Sequence, residues 1–311
     1  MPYAQTLHDS LKRVSNSLPT LYVLVSSEQG KTKMVAKPIE GLNYLFINRV
    51  CGDGAGKIIR EKYLGKDMDA FRWSMKPVVI NYLLKEKGYQ KVIFLDCDLF
   101  FVSDYTFLFD LLDSHTVLLS PHFRSFNPAS DRNNYILQFT SGIYNGGFIA
   151  ANSNATNAMD WLANVCGEIC EKNPCEGQYV DQTHLNLLPV IFDDVYIIKH
   201  RGCNVANWNQ SECRRVLMDD GEVRINALHQ IIFIHFTGST IRGIVNEDDG
   251  LLMPYLIEYN KLLKENGWPI DIIDAAKKQI LKYKEQELLH KRAKNNSSFA
   301  RLKKIVSKWL R

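Results

Sequence analysis

KVIFLDCDLFFV, residues 91–102, is a run of β-forming apolar residues interrupted by two acids. The apolar part predicts a buried strand of an α/β sheet that ends at Leu95. Asp96 and Asp98 follow at the strand end, where an open α/β sheet places its ligand crevice. In extended backbone, residues two apart project to the same side, so both carboxylates can face one cation. Two solvated acids at a strand end are the alternative, because Asp-x-Asp by itself is common.

The sequence on both sides of this strand alternates between helical and strand-like patterns. Asp69–Lys87 has apolar residues at helical spacing, ends at Gly88 and leads directly into the strand. This order predicts an α/β fold with a Rossmann-like sheet. Further strands are predicted at Leu21–Ser26, Tyr44–Ile47, Thr116–Ser120, Val195–Ile198 and Ile231–Phe236. Helices are predicted at Tyr105–Asp113, Asn157–Cys170, Val180–Leu188 and beyond Leu251, and a loop or lid at Asn127–Asn134.

Length and composition are those of an ordinary globular protein. With 311 residues, of which 46% are hydrophobic and 23% charged, the chain can form one large domain or two small ones. We expect a catalytic domain over residues 1–250 and a helical, basic extension over 251–311. The sequence has no secretion-type leader and no apolar run near the roughly 20 residues that span a bilayer, so we expect a cytoplasmic protein, peripheral at most to the inner face of a membrane.

Seven scattered cysteines favour reduced thiols over a disulfide framework, because their number is odd and no secretion signal is present. Cys166, Cys170 and Cys175 lie close together in sequence. Their spacing fits no zinc ribbon or finger, so a structural zinc is not favoured.

The formal charge of +4 is unevenly distributed. Residues 282–311 hold 10 Lys/Arg against two Glu, which leaves 28 Lys/Arg and 32 Asp/Glu, or −4, in the rest. This argues against a nucleic-acid-binding body. Basic residues in the tail alternate with an apolar stripe at helical spacing, which predicts an interfacial helix on an anionic membrane. A helix docked on the domain or in an oligomer is the alternative. The stripe consists of Phe299, Leu302, Ile305, Val306, Trp309 and Leu310.

Two further segments have side chains suited to binding a sugar. Gly146 and Gly147 permit a ligand to approach the backbone, and Asn145 offers both a donor and an acceptor to a hydroxyl. A glycine turn or bulge is the alternative. Asp181 and Gln182 stand at the start of a predicted helix, where the acid would serve equally well as an N-cap.

His235 and a basic pair are the remaining candidates. His235 follows β-type apolar residues, where a lone histidine is more often a core residue than a metal ligand. Arg72 and Lys76 are four residues apart, hence on one face of the predicted helix, where they could bind phosphate or simply be solvated. Trp208, among the amides of residues 204–209, could stack on a sugar or anchor the core.

Four segments together resemble the GT-A-fold glycosyltransferases, and in particular bacterial members of the glycogenin-like, galactosyltransferase-containing family. The resemblance extends from about Leu21 to about Gly238. It implies a nucleotide-diphospho-sugar transferase fold, a hexosyltransferase activity that retains the anomeric configuration, and a UDP-sugar as the favoured donor. A glycan or lipid-linked acceptor for surface polysaccharide is implied as well, and no nucleic-acid partner. The segments are Phe94–Val102, Tyr144–Phe148, Asp181–Asn186 and Ile234–Gly238.

The resemblance also implies a role for each matching residue. The ligands of Mn²⁺ or Mg²⁺ on the donor diphosphate would be Asp96, Asp98 and His235. The catalytic residues near the transferred sugar would be Asn145, Asp181 and Gln182. The residues that contact the nucleotide and phosphates would be Arg72, Lys76, Gly146, Gly147, Gly238 and Arg242. The family usually has a lysine six residues after the histidine, whereas Ile241 stands there, with Arg242 next as the candidate substitute.

Three other functions share parts of this sequence pattern. A haloacid-dehalogenase-type phosphatase also has Asp-x-Asp after a strand, but near the N-terminus and with a later Gly-Asp pair, and the order here differs. A nucleotidyltransferase would need a Gly-rich, basic N-terminal loop for the triphosphate, and none was recognised. A catalytically silent glycan-binding or membrane scaffold stays open.

Overall fold

The computed structural model describes residues 1–26 and 39–309, and for residues 292–309 it describes the helical backbone alone. The strands are β1 Leu21–Val25, β2 Leu42–Phe46, β3 Lys91–Leu95, β4 Leu99–Phe101, β5 Val117–Pro121, β6 Tyr144–Asn152, β7 Lys172–Asn173, β8 Gln178–Tyr179, β9 Val195–Ile197, β10 Arg215–Leu217, β11 Val223–Ile225, β12 His229–Gln230 and β13 Phe233–His235. The α-helices are α1 Pro2–Val14, α2 Ile47–Val50, α3 Gly54–Tyr63, α4 Met68–Lys85, α5 Phe107–Leu111, α6 Arg132–Thr140, α7 Thr156–Glu168, α8 Leu188–Ile191, α9 Gly238–Val245, α10 Met253–Glu265 and α11 Ile272–Trp309.

The central sheet has the strand order β3-β6-β5-β9. Strand β6 runs antiparallel to both of its neighbours, while β5 and β9 are parallel, so the predicted α/β sheet is confirmed but is mixed. Strands β1 and β2 form a separate parallel pair. Strand β4 leaves the central sheet and pairs with β13, which places Leu99 opposite His235. The turn between β3 and β4 therefore lies where two sheets meet.

Helix α4 forms the centre of the larger core. The side chain of Asp67 caps its start by accepting hydrogen bonds from the backbone N–H groups of Asp69 and Ala70. Pro77 lies inside the helix, and Gly88 adopts a left-handed φ of 71° just beyond its end, as the sequence predicted. The helix packs on α7 and β3, which buries most of its length. One buried residue of this helix is charged, Lys76.

Two predicted elements differ from the structure. Residues 180–188 do not form one helix, because Val180 has a left-handed φ of 52° and the chain makes a short 3₁₀ turn at His184–Leu187 before α8. Asp181 therefore lies in a turn and caps no regular helix. The predicted loop ends earlier than expected, because the side chain of Asp131 accepts a hydrogen bond from the Asn134 N–H and caps α6.

The C-terminal helices pack differently from one another. Tyr259 of α10 is fully buried and stacks on Phe236, with ring centroids 4.5 Å apart. Helix α11 buries Ile272 and Ala276, but its side chains from Lys277 to Lys291 are mostly exposed. Within the described residues, no helix combines the length and the apolar character that crossing a bilayer requires. The division after residue 250 stays a prediction, and the side chains of the apolar stripe lie outside the described residues.

Candidate active site

Three segments converge at the carboxyl end of β3. The Asp96 N–H donates to the Gly147 carbonyl at 2.8 Å, and the Phe236 N–H donates to the Asp98 carbonyl at 2.9 Å. The pairing of β4 with β13 brings His235 to the same turn. The backbone thus fixes the acidic turn between β6 on one side and the end of β13 on the other.

Asp96, Asp98 and His235 form a cluster that fits a divalent cation. One ligand atom from each residue lies within 4.8 Å of the others. His235 Nε2 is 3.1 Å from Asp98 Oδ1. Burial alone would raise the pKa of Asp98, but the charge and hydrogen bond of His235, together with backbone hydrogen bonding and Lys76, hold that pKa below its usual value. Two carboxylate oxygens and an imidazole nitrogen are a donor set that Mn²⁺ accepts. The residues predicted from the sequence as metal ligands are therefore brought together.

Asn204 orients His235 within this cluster. Its Oδ1 lies 3.1 Å from His235 Nδ1, and because an amide oxygen only accepts, Nδ1 donates a proton to it while Nε2 is directed at the carboxylates. Asn204 is buried in a left-handed conformation with φ of 63°, and its carbonyl accepts from Asn209 Nδ2 at 2.9 Å. Trp208 meets the ring of His235 edge-on at 5.3 Å. Such outer contacts fix the tautomer of a ligating histidine.

Lys76 is the buried cation of the site. Its Nζ lies 3.0 Å from Asp181 Oδ2 and 3.8 Å from Asp96 Oδ1, and it donates to the Gly146 carbonyl at 2.8 Å. Burial alone would lower the pKa of Lys76, but the two carboxylates outweigh it and the pKa is raised. Burial raises the pKa of Asp181, while Lys76 opposes that shift. The ion pair therefore favours the charged forms of both Lys76 and Asp181.

Gly146 and Gly147 leave no room for a side chain. A Cβ on Gly147 would lie 2.6 Å from His235 Cε1 and 3.1 Å from Asp96 Oδ2. A Cβ on Gly146 would lie 2.8 Å from Asp181 Oδ2 and 3.1 Å from Lys76 Nζ. Neither glycine has a positive φ, so close approach and not backbone conformation requires them.

A hydrogen-bond network holds the two amides that were predicted to face the sugar. Asn145 Oδ1 accepts from the Gly147 N–H at 2.9 Å, and its Nδ2 lies 3.3 Å from His122 Nε2. Gln182 Oε1 accepts from the Gly146 N–H at 3.1 Å, and its Nε2 donates to the Ser141 carbonyl. Both amides are nearly buried. In this structure they hold the backbone of β6.

His122 belongs to this network and was missed by the sequence analysis. Burial, and to a lesser degree the charge of Arg124, lowers the pKa of His122 to about 3, so the ring is neutral. Its Nδ1 donates to the Ile143 carbonyl at 3.1 Å, which leaves Nε2 to accept from Asn145. No recognisable motif surrounds His122 in the sequence. The pairing of β5 with β6 brings it next to Asn145, and this pairing is visible only in the structure.

Three predicted phosphate contacts lie outside the carboxylate cluster. Arg72 is exposed and pairs with Asp69. Gly238 is the first residue of α9. Arg242 donates to Ser239 Oγ at 2.9 Å and to Gln279 Oε1 of α11 at 3.3 Å. Arg72 is thus exposed while Lys76 is buried, although their four-residue spacing places both on one side of α4.

Comparison with known proteins identifies related sequences. The family model described as glycosyl transferase family 8 matches residues 75–240, more than half of the chain. The proteins YfnF and YfnD of Bacillus subtilis (strain 168) are each 26% identical to it. The alignment with YfnF covers 78% of both chains, and that with YfnD covers 85% of this chain and 80% of the relative.

Two glycosyltransferases are among the solved structures that match this chain. The galactosyltransferase LgtC, in complex with donor and acceptor sugar analogs, is 15% identical with a TM-score of 0.49, over 85% of this chain and 91% of LgtC. Mouse xyloside xylosyltransferase 1 is 11% identical with a TM-score of 0.49, over 77% of this chain and 94% of the mouse chain. These likenesses are too distant to assign any residue, and the family assignment rests on the family model.

Substitution of Gly147 by alanine tests the close approach at the cluster. We expect the added Cβ to displace His235, to lower the free energy of unfolding by about 1–3 kcal/mol and to weaken Mn²⁺ binding. Urea unfolding and calorimetric Mn²⁺ titration measure the two effects. Gly243→Ala is the control, because a Cβ there meets nothing within 4 Å and the helix should gain up to about 1 kcal/mol. Mn²⁺ binding by Gly147→Ala at the wild-type affinity would contradict the geometry.

Substitution of Lys76 by methionine should leave Asp181 buried without its partner and cost about 3–5 kcal/mol of unfolding free energy near pH 8. When a carboxyl has a higher pKa in the folded protein than its value of about 3.9 in the unfolded chain, the free energy of unfolding falls as pH rises from the unfolded pKa to the folded pKa. The loss of unfolding free energy in Lys76→Met should therefore be smaller at pH 5 than at pH 8. Adding Asp181→Asn removes the unpaired charge and should restore part of the stability. A deficit that is independent of pH, or that persists in full in the double variant, would show that packing and not charge is responsible.

Proposed function

Because this chain belongs to glycosyl transferase family 8, we propose that it moves a sugar from a UDP-sugar to a glycan or lipid-linked acceptor, using a divalent cation held by Asp96, Asp98 and His235. The family confirms the coarser part, since the protein is a GT-A-fold glycosyltransferase with a nucleotide-sugar donor. The observation that carries the finer proposal is the convergence of the three ligand atoms within 4.8 Å. Synthesis of a surface polysaccharide is the process that such an acceptor suggests.

The metal site would serve the departure of the nucleoside diphosphate. A bound Mn²⁺ or Mg²⁺ supplies Lewis-acid stabilisation of the charge that develops on the leaving diphosphate. The chain's own contribution is to hold two carboxylates and a correctly protonated imidazole in place. Asn204 fixes that imidazole, and the absence of a side chain at Gly147 keeps the backbone close to the cluster. The N-terminus of α9 at Gly238, with Arg242 in its next turn, is the proposed phosphate contact.

The proposed sugar pocket is lined by Asn145, Asp181 and Gln182. Asp181 Oδ1 is buried and accepts no hydrogen bond within the described residues, which leaves it available to a sugar hydroxyl. Lys76 keeps that carboxylate ionised and therefore a strong acceptor. Asn145 and Gln182 hold the backbone beneath the sugar through Gly146 and Gly147. Retention of the anomeric configuration is proposed from the family resemblance.

Two rival functions predict different results for the same site. In a phosphatase the first acid, Asp96, would attack phosphorus. Membership of a glycosyltransferase family argues against that chemistry. A silent scaffold would keep the fold and the cation cluster but turn over no donor. Hydrolysis of a nucleotide-sugar donor by the full chain therefore separates the transferase from both rivals.

The basic tail, residues 282–311, is proposed to bind the enzyme to the anionic inner face of the cell membrane. The described part of α11 between Lys277 and Lys291 is largely exposed and free to contact a surface. The sequence concentrates positive charge in residues 282–311 while the rest is near −4. Each basic side chain near such a surface contributes about 1 kcal/mol at low salt.

Donor binding and hydrolysis test the proposed reaction. We expect UDP-sugars, rather than GDP- or CMP-sugars, to raise the melting temperature in the presence of Mn²⁺. At a ligand concentration one hundred times Kd, binding should raise the free energy of unfolding by about 2.7 kcal/mol. Asp98→Ala should abolish both this shift and donor hydrolysis, because it removes a ligand. The control, Asp219→Ala, removes an exposed carboxylate and should behave as wild type. Full turnover by Asp98→Ala in the presence of a chelator would refute the metal-dependent mechanism.

Co-sedimentation with vesicles tests the tail. The full chain should bind anionic vesicles less as salt is raised, because screening weakens charge attraction. A chain ending near residue 290 should remain in the supernatant, yet it should hydrolyse donor as the full chain does. Equal sedimentation of the two forms would assign the tail to packing or oligomerisation.

A further inference from the structure

Arg124 is a largely buried cation without an anionic partner. It lies three residues beyond the end of β5, next to the site, and its Nη1 donates to Asn134 Oδ1 at 3.3 Å. Its Nε is buried and donates to nothing within the described residues. No carboxylate among those residues forms an ion pair with it. Burial accordingly lowers the pKa of Arg124 to about 10.

Arg215, whose side chain is more deeply buried, has an anionic partner. Arg215 is 4% exposed and pairs with Asp249, itself 5% exposed, at 2.9 Å. It also donates to the Ala206 carbonyl at 2.7 Å. Buried charges are normally paired in this way, because an isolated charge is costly to remove from water. Arg124 has one side-chain acceptor and no carboxylate among the described residues, so its remaining N–H groups are available to a ligand.

The position of Arg124 joins it to both halves of the site. Helix α6, which holds Asn134, is fixed to the site because Asn134 Nδ2 donates to the Trp208 carbonyl at 2.9 Å. Trp208 packs edge-on against both His235 and His122. Arg124 thus lies on the wall that α6 forms beside the metal cluster and Asn145. A second substrate that approaches the donor sugar along this wall would meet the guanidinium.

Exposed apolar side chains lie on α6 and in the chain segments on either side of it. No residue of α6 is buried, and the strand that follows begins beside Ile143, whose carbonyl accepts from His122. Exposed apolar side chains grouped beside a polar site mark an interaction surface. We name this group the apolar rim. It consists of Phe126, Ile136, Leu137, Phe139 and Ile143, which are 54%, 39%, 38%, 67% and 47% exposed.

We propose that Arg124 and the apolar rim bind an acceptor whose glycan is joined through a phosphate to an apolar chain. The guanidinium binds the phosphate with its free N–H groups, a geometry that suits a planar fork. The rim covers the first part of the apolar chain. The cation matches the phosphate of such an acceptor, and the apolar surface matches its apolar chain. A neutral glycan without a lipid would use neither the guanidinium nor the apolar rim. The inference rests on the proposed function, since it names the second substrate of the same site.

Calorimetry with three probes tests the pairing of charge and apolar surface. The full chain is titrated with inorganic phosphate, n-octyl phosphate and n-octyl β-D-glucoside, in chelator so that phosphate does not bind through a metal. We expect octyl phosphate to bind more tightly than either other probe. Arg124→Gln should weaken octyl phosphate about tenfold or more, the loss expected for a buried charge-assisted hydrogen bond, and leave octyl glucoside unchanged. Phe139→Ser should weaken octyl phosphate and octyl glucoside but not inorganic phosphate.

Two further variants separate binding from structure. Arg132→Gln is the matched control, because it removes the same charge from an exposed position on α6 and should leave all three affinities unchanged. Arg124→Lys keeps the charge without the fork and should retain part of the affinity. Since no carboxylate loses its partner, Arg124→Gln should unfold at or above the wild-type temperature without probe. A marked loss of stability would show that Arg124 is structural and overturn the proposal.

The remaining outcomes are also decisive. If Arg124→Gln and Arg132→Gln weaken octyl phosphate binding equally, the binding depends on overall surface charge and not on a specific site, and the proposal is overturned. A dimer in sedimentation velocity that Phe139→Ser dissociates would make the rim a subunit interface instead. Donor hydrolysis by the wild type and by Arg132→Gln is followed in parallel and should be the same in both. Loss of hydrolysis in wild type would count against the proposed function alone, whereas normal hydrolysis without octyl phosphate binding would refute this inference alone.

Discussion

The ammonium of Lys76 is the group on which the site depends. A charge buried in the largest core must be paired, and here the partners come from three separate parts of the chain: Asp96, Asp181 and the Gly146 carbonyl. Pairing them fixes α4, the turn after β3, strand β6 and the irregular segment around Asp181 relative to one another. The same contacts that satisfy one cation therefore set the shape of the proposed donor pocket.

A second constraint acts from the opposite side of the acidic turn. Because β4 pairs with β13, the chain brings His235 opposite Leu99 and directly beside Asp98. Asn204, held in a left-handed conformation, then determines which imidazole nitrogen faces the carboxylates. The cluster is thus assembled by backbone pairing and oriented by an amide. Holding the ligands in place in this way lowers the cost of ordering them when a cation binds.

The sequence predicted the parts of the site that follow from local pattern. An apolar run followed by acids two residues apart is enough to place Asp96 and Asp98 at a strand end, and resemblance added His235. The turn at Asp181 could not be predicted, because the left-handed Val180 breaks a pattern that otherwise suits a helix. Arg72 shares helical spacing with Lys76, yet only the packing of the core on α4 decides which of the two is buried. His122 and Arg124 acquire their surroundings entirely from strands and loops distant in sequence.

The network through Asn145 and Gln182 has an evolutionary consequence. Each amide uses one group to hold a backbone N–H of β6 and another to hold a neighbour. Exchanging Asn145 releases Gly147 beside the metal cluster, and exchanging Gln182 releases Gly146 beside Lys76 and Asp181. Mutations at these proposed sugar-binding positions would be deleterious singly and tolerated only with a compensating partner. Donor specificity in this lineage should then diversify through epistatic pairs, and directed evolution by single substitutions should stall at these two positions.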